Sequence, residues 1–166
     1  QAEKSDICSA FSSIKGSENI RFVEEKPSLT IIRRDIKSYK PDIIFLDHLG
    51  LMKMTKRKSR VEEVSETTKA LHDIVLETGT TIIEIVQMNR GVEQRKSKRP
   101  TLSDLKESGS IEEDADYVVF LQVDKSEKPL TGNEAYHYTA FIEKNRHGGT
   151  GVVHMKWRPQ YSRFTE

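Results

Sequence analysis

Two predominantly apolar runs, each followed by a polar residue, constrain the fold of this chain more than any other feature. The first is Ile43–Leu46, followed by Asp47, and the second spans residues 80–86, followed by Gln87. A run without polar alternation favours a strand that is buried on both faces, as in a parallel sheet. Apolar residues at helical spacing over residues 61–75 separate the two runs. The sequence therefore predicts a strand–helix–strand crossover unit.

The rest of the chain adds one helix before this unit and short strands after it. Apolar residues spaced 3, 4 and 3 over residues 29–39, ended by Lys40-Pro41, predict an amphipathic helix. Four further apolar segments are too close together for helices between them and predict antiparallel hairpins: residues 116–121, 136–142, 151–155 and 161–164. The expected fold class is α/β, with parallel strands and crossover helices followed by antiparallel hairpin strands.

Composition excludes several classes of protein. The single cysteine, Cys8, excludes a disulfide framework and a paired-thiolate zinc site. No segment reaches the roughly 18 to 20 apolar residues of a membrane span, and no basic-then-apolar signal segment opens the chain. We therefore expect a soluble cytoplasmic protein without a membrane partner. The formal net charge of +1 excludes a uniformly basic nucleic-acid coat, although it allows segregated charge.

Asp47 and Gln87 stand where α/β sheets bind their ligands, at the carboxyl ends of strands. A carboxylate after a buried strand is where nucleoside triphosphatases hold Mg²⁺, directly or through water. The alternative is that Asp47 only caps a turn, since an apolar run followed by aspartate is common.

Basic residues are concentrated in two polar segments. Five of the eight residues 53–60 are basic and none is acidic: Lys53, Lys56, Arg57, Lys58 and Arg60. A phosphate backbone would relieve the repulsion among these charges, whereas a solvated charge run is the simpler alternative. The long polar stretch 88–110 carries six more basic residues: Arg90, Arg95, Lys96, Lys98, Arg99 and Lys106. Its small residues around Gly109 would let a phosphate approach closely.

Lys144 and Arg146 lie two residues apart near the tip of a predicted hairpin. This spacing predicts that both side chains point the same way and project beyond the sheet. Such a pair could reach the phosphates of a nucleotide on a neighbouring subunit, as an arginine finger does. The alternative is an ordinary solvated turn.

Taken together, these segments resemble the hexameric DnaB-type replicative DNA helicases, whose motor domain has a RecA-like fold of the P-loop NTPase class. The matching stretches come in the family's order and include IIFLDHLGLM, KRPTLSDLKESGSIEEDAD and EKNRHGGTG. They lie at residues 43–52, 64–71, 82–95, 98–116 and 143–151. A recombinase or circadian-type ATPase of the same fold would not be expected to carry the second of these stretches.

The resemblance implies a role for each matching residue. Asp47 resembles the Walker B aspartate that acts on the Mg²⁺ of MgATP, and Gln87 resembles the glutamine that senses nucleotide state. Lys144 and Arg146 match the KxR pair that is offered in trans to the neighbour's ATP. ATP and Mg²⁺ are therefore the implied cofactors, and a homo-hexamer is the implied assembly.

The two basic segments match the family's central-channel loops, which hold single-stranded DNA. Residues 53–60 correspond to the first loop. Lys106, Glu107 and Gly109 match the second, and the family usually has Arg where Lys106 stands, which keeps the charge but loses the bidentate fork. Single-stranded DNA, primase and a helicase loader are the further partners that the resemblance implies.

No GxxxxGK followed by Ser or Thr occurs in the 166 residues. We therefore expect a partial RecA-like motor domain: a poorly defined segment over 1–26, an α/β core with DNA-facing loops over 27–122 and hairpin strands over 134–164. Alone, it is expected to be deficient in ATP hydrolysis. The alternatives are a non-catalytic module that binds single-stranded DNA or docks on a helicase, and a folded remnant without activity.

Overall fold

The computed structural model describes residues 19–52, 59–88, 99–105, 109–124 and 135–166. Within these ranges the chain forms three α-helices and six strands. Their order is α1 (Leu29–Tyr39), β1 (Ile43–Leu46), α2 (Arg60–Thr78), β2 (Thr81–Glu84), α3 (Gly109–Asp114), β3 (Tyr117–Val123), β4 (Tyr136–Asn145), β5 (Gly151–Arg158) and β6 (Arg163–Thr165). None of the helices in these ranges is long and apolar enough to cross a membrane.

Helix α1 confirms the prediction from residues 29–39, and local sequence explains both of its ends. The Ser28 side chain accepts a hydrogen bond from the N–H of Ile31 at 3.3 Å, which satisfies one of the unpaired N–H groups of the first turn. At the other end, Lys40 adopts a left-handed φ of 46° and donates its N–H to the carbonyl of Ile36. Pro41 follows and cannot extend the helix.

Strands β1 and β2 form the predicted parallel pair, joined through helix α2. The register pairs Ile43 with Thr81 and Leu46 with Glu84. Strand β2 is shorter than the predicted 80–86. Beyond Glu84 the chain pairs with residues at and after the end of β1, and the Ile85 carbonyl accepts from the N–H of Leu49 in a short 3₁₀ turn. Helix α2 ends at Gly79, whose φ of 71° is a left-handed conformation that glycine adopts without a side-chain clash.

The last four strands form an antiparallel sheet in the order β3-β4-β5-β6. This confirms the predicted hairpins. Strand β3 pairs with β4 from Tyr117 opposite Asn145 to Val123 opposite Tyr138, with an irregularity between Val118 and Val119. Among the described residues, no strand of this sheet pairs with β1 or β2.

One hydrophobic core joins the two sheets and the helices. Leu71 and Ile74 of α2 lie at its centre, with 2% and 0% of their surface exposed. The helices, both strands of the parallel pair and strands β3 and β4 contribute buried or packed apolar side chains to the same cluster: Ile32 and Ile36 of α1, Leu46 of β1, Ile82 of β2, Ile111 of α3, Val118 and Phe120 of β3, and Phe141 of β4. The helices and both sheets thus fold around a single apolar cluster.

The prediction that β1 is buried on both faces was wrong for the described residues. Ile44 and Leu46 face the core, whereas Ile43 and Phe45 are 49% and 69% exposed. Alternate residues of a strand point to opposite faces, so one face of the pair is covered and the other is open. Ile83 of β2 is 40% exposed and belongs to the same open face.

Helix α2 begins with a capping box, whose removal is expected to cost about 1 kcal/mol of stability. The Ser59 hydroxyl accepts from the N–H of Glu62, and the Glu62 carboxylate accepts from the Ser59 N–H at 2.9 Å. Ser59→Ala removes the cap and should lower the free energy of unfolding in urea titrations. Ser65→Ala, inside the same helix, is the matched control and should leave stability unchanged or slightly higher. Equal losses in both variants would contradict a capping role.

Candidate functional site

The carboxyl edge of the parallel pair carries the first two candidate residues. Asp47 directly follows β1, and Gln87 lies shortly after the end of β2. The N–H of Ile85 donates to the carbonyl of Leu46 at 3.0 Å, so the chain remains paired with β1 beyond the end of β2. This pairing brings the segment that carries Gln87 to the same edge as Asp47. Both side chains are exposed and therefore open to a ligand from solvent.

A single exposed carboxylate limits the kind of metal site that can form here. In the part of the chain that the structure describes, no group of three or more His, Cys, Asp or Glu side chains could hold a metal ion. Mg²⁺ is usually held by one or two carboxylates, with phosphates and water as its remaining ligands. Asp47 thus fits a Mg²⁺ that arrives with a polyphosphate and does not fit an all-protein metal cage.

Gln87 is connected through its neighbour to the second basic segment. Met88 forms an isolated antiparallel bridge with Leu105, which is buried. Leu105 directly precedes Lys106 in the sequence. A backbone bridge therefore joins the strand-end glutamine to the chain that leads into residues 106–108.

Most of the predicted DNA-binding residues lie outside the described ranges, and only the downstream ends of their segments are placed. Lys53, Lys56, Arg57 and Lys58 fall between the 3₁₀ turn after β1 and helix α2, and Arg60 is the first residue of α2. Lys106 and Glu107 are also outside the described ranges, whereas Gly109 is the first residue of α3. Each basic segment therefore leads directly into a helix.

Arg99, at the end of the second polar stretch, is paired within the fold. Its Nε and Nη2 donate to one oxygen of Glu143 at 3.0 Å and 2.8 Å, and its guanidinium lies 5.4 Å from the ring centre of Phe141. These contacts anchor the segment at residue 99 onto strand β4. The charge of Arg99 is therefore compensated within the fold.

Lys144 and Arg146 lie side by side on the C-terminal end of helix α3. The ammonium group of Lys144 donates to the backbone carbonyls of Glu112 and Glu113. The Arg146 guanidinium donates from Nη2 to the carbonyl of Glu113 at 3.0 Å, and its Nη1 lies 3.0 Å from the Asp116 carboxylate. The Arg146 N–H also donates to the Asp116 carbonyl at 2.9 Å.

This placement differs from the expectation that the pair projects beyond the sheet. The two side chains do point the same way, but they lie against α3 and Asp116. The last carbonyls of a helix have no partner within the helix and carry the negative end of its dipole, so they attract cations. The position of α3 was absent from the sequence-based expectation, which treated residues 88–110 as one polar connection.

Glu84 is a further titratable residue near this edge that sequence reasoning missed. It is the last residue of β2, and burial together with the charge of Asp114 raises its pKa to about 7. Asp114 in turn accepts a hydrogen bond from the Thr68 hydroxyl of α2 at 2.9 Å. The available signal was a glutamate inside an apolar run, because such a carboxyl group is desolvated when the strand packs.

Comparison with known families gives one match that covers nearly the whole chain. The family model described as the DnaB-like helicase C terminal domain matches residues 3–166. The replicative DNA helicase DnaB of Rickettsia bellii is 35% identical over 175 aligned residues, covering 89% of this chain and 35% of the helicase. The chain thus spans about a third of the length of that relative.

Two solved structures share the fold. An ATPase domain superposes with a TM-score of 0.84 and 29% identity, over 99% of this chain and 60% of that domain. A DnaB-like replicative helicase, solved in a study of its interactions with primase, superposes with a TM-score of 0.76 and 31% identity. This second match covers 86% of this chain and 36% of the helicase chain.

Proposed function

Because this chain belongs to the DnaB-like helicase C-terminal domain family, we propose that it forms part of an ATP-dependent replicative helicase motor. The observation that carries the proposal is the parallel β1–β2 pair, which brings Asp47 and the segment of Gln87 to one open edge. Ligands bind at this edge in open α/β sheets. The complete motor unwinds duplex DNA by moving along one strand as a hexameric ring.

In the proposed motor, Asp47 holds the Mg²⁺ that accompanies ATP. Its exposed carboxylate at a strand end suits a metal whose other ligands are phosphate oxygens and water. Gln87 responds to the nucleotide at the same edge. The Met88–Leu105 bridge supports a relay role, since it joins Gln87 to the chain that enters the second basic segment.

Lys144 and Arg146 act in trans on the nucleotide of the neighbouring subunit. Two cations within hydrogen-bonding distance of the same carbonyl, that of Glu113, can engage one polyphosphate together. Arginine suits this task because its planar guanidinium donates in a fork that matches phosphate geometry. Hydrolysis therefore requires two subunits, which is consistent with a homo-hexamer.

The two basic segments bind the phosphate backbone of single-stranded DNA. In the first segment the residues are Lys53, Lys56, Arg57, Lys58 and Arg60. In the second they are Lys106, Glu107 and Gly109, of which only Lys106 carries a positive charge. Contacts of this kind are largely independent of base sequence. We also propose primase as a partner, because one structural neighbour was solved in a study of its interactions with primase.

The 166-residue chain by itself is expected to bind single-stranded DNA and to release no phosphate from ATP. It contains no GxxxxGK followed by Ser or Thr to hold the β- and γ-phosphates. Fluorescence anisotropy with a labelled thymine oligonucleotide measures the first property, and a malachite-green assay measures the second. DNA-stimulated phosphate release from the purified chain would contradict the second expectation.

Salt dependence separates a phosphate-backbone interface from a few chance contacts. The slope of log K against log salt is negative, and each lost phosphate contact should make it less steep by about 0.7 for single-stranded DNA. Lys56→Gln is expected to produce such a change, whereas Lys156→Gln, on strand β5, serves as the matched control. Equal effects of the two variants would argue against a specific role for residues 53–60.

The missing phosphate-binding motif also favours a second candidate, a non-catalytic module that binds DNA or docks on a complete helicase. This candidate predicts DNA affinity that does not respond to nucleotide even when a complete helicase of the family is present. In the motor proposal, affinity for DNA changes with ATP once the chain is joined to a segment that supplies the phosphate-binding loop.

A further inference from the structure

The two cations proposed to act on a neighbour's nucleotide already have partners within this chain. Arg146 contacts the Asp116 carboxylate and the Glu113 carbonyl, each at 3.0 Å. Lys144 uses two of the three N–H donors of its ammonium group on the carbonyls of Glu112 and Glu113. We call this arrangement, in which Lys144 and Arg146 lie on the end of α3 and on Asp116, the docked state.

The docked state competes with phosphate because it uses the same donors and the same charge. The Asp116 carboxylate compensates the charge of Arg146. A phosphate that approaches Arg146 also comes close to this carboxylate, which repels it. The helix carbonyls, which carry the negative end of the helix dipole, do the same for Lys144. A phosphate oxygen that engages both cations therefore has to replace partners that are already present.

The exchange is energetically accessible because the docked contacts lie near the surface. The side chains of Arg146 and Asp116 are 42% and 38% exposed, so water screens their attraction. Backbone pairing holds the rest of the hairpin in place, since the Arg146 N–H donates to the Asp116 carbonyl and β3 pairs with β4 up to Asn145. The two side chains can therefore change partners without unpairing the strands.

We propose that Lys144 and Arg146 exchange between the end of α3 and nucleotide phosphate, with Asp116 as the positioning residue that sets the balance. This inference rests on the proposed trans role of the pair. Helix α3 begins at Gly109, directly after residues 106–108, which belong to the proposed DNA-binding segment. When Lys144 and Arg146 leave the C-terminal end of α3, this end loses its two cationic partners. Because α3 has only six residues, the change lies close to residues 106–108, which precede its first residue.

Phosphate affinity of the 166-residue chain tests the competition directly, with inorganic tripolyphosphate as the probe. In NMR titrations at low ionic strength, Asp116→Asn is expected to bind tripolyphosphate about fivefold more tightly than the wild type. The gain should disappear in the double variant Asp116→Asn with Arg146→Ala. Because the gain depends on Arg146, it cannot come from a merely structural role of Asp116.

Glu143→Gln is the matched control for net charge. It removes a carboxylate next to Lys144 that pairs with Arg99 and not with Lys144 or Arg146. The affinity of Glu143→Gln for tripolyphosphate should equal that of the wild type. An increase as large as that of Asp116→Asn would overturn the proposal. Unchanged affinity in Asp116→Asn, with weaker binding in Arg146→Ala, would overturn the exchange while leaving the phosphate role of the pair intact. If Arg146→Ala changes nothing in either background, the proposed trans role fails as well.

Hydrogen exchange of the wild-type chain supplies a test that needs no Asp116 variant. Tripolyphosphate should speed amide exchange in the α3 segment, because docking of Lys144 and Arg146 is lost when phosphate binds. The amide of Ala115, which donates to the carbonyl of Ile111 at 3.1 Å, reports on this helix end. Unchanged exchange at saturating tripolyphosphate would contradict the release of α3.

Discussion

Arg146→Ala, introduced into a complete motor that carries this chain, is expected to lower ATP hydrolysis by about 10³- to 10⁵-fold. A guanidinium supplied in trans stabilises the charge that develops on the transferred phosphoryl group, so its loss affects turnover more than nucleotide binding. DNA-stimulated phosphate release measures turnover, and a fluorescent ATP analogue measures binding. Arg163→Ala, on the exposed strand β6, is the control and should retain activity. Hydrolysis that survives in Arg146→Ala would show that the assignment is wrong.

Mixing experiments then decide whether Arg146 acts across a subunit boundary. Rings made only of Asp47→Asn subunits or only of Arg146→Ala subunits should both be inactive. Mixed rings should recover part of the activity, because some interfaces combine an intact Asp47 from one subunit with an intact Arg146 from its neighbour. If both residues act within one subunit, no such interface exists and mixing restores nothing.

Glu84→Gln is expected to stabilise the fold above neutral pH by up to about 3 kcal/mol while changing little at pH 4. Burial raises the pKa of Glu84 from its ordinary 4.5 to about 7, so the folded state holds its proton more tightly than the unfolded state. The contribution of the protonated Glu84 carboxyl to the free energy of unfolding is fully present below pH 4.5 and is lost as the pH rises through about 7. Glutamine resembles the neutral form at every pH and avoids this loss.

Urea unfolding of both proteins between pH 4 and pH 8, followed by circular dichroism, measures the difference. The free energy of unfolding should diverge between the variants as the pH rises, with Glu84→Gln the more stable. Glu77→Gln is the control, since Glu77 is exposed on α2 and pairs with Arg33 at 2.8 Å. That variant should differ from the wild type by less than about 1 kcal/mol at neutral pH. A constant difference for Glu84→Gln across the range would contradict the raised pKa.

Helix boundaries were the most predictable part of the fold, because local residues set them. Ser28 caps the start of α1, Pro41 follows its end, and Gly79 ends α2. Helix α3 was missed because its six residues are polar and acidic, without an apolar stripe long enough to indicate a helix. Its one buried apolar residue, Ile111, packs against the core formed by distant elements.

The candidate site was predictable in position but not in its contacts. Strand ends follow from the apolar runs, so the sequence predicts Asp47 and Gln87 at the carboxyl ends of two strands. The partners of Lys144 and Arg146 lie about 30 residues earlier in the chain, and no local pattern indicates such contacts.

The sequence by itself determined the type of most elements, their order along the chain and the family, since apolar periodicity, capping residues and family motifs all lie in neighbouring positions. Only the tertiary structure decided that one face of β1 is open, that Lys144 and Arg146 lie on α3, and that Glu84 is desolvated. Burial and long-range hydrogen bonds depend on which distant segments pack together. That packing is a property of the whole fold. The pairing of Arg146 with Asp116 and the raised pKa of Glu84 therefore arise only when the chain folds.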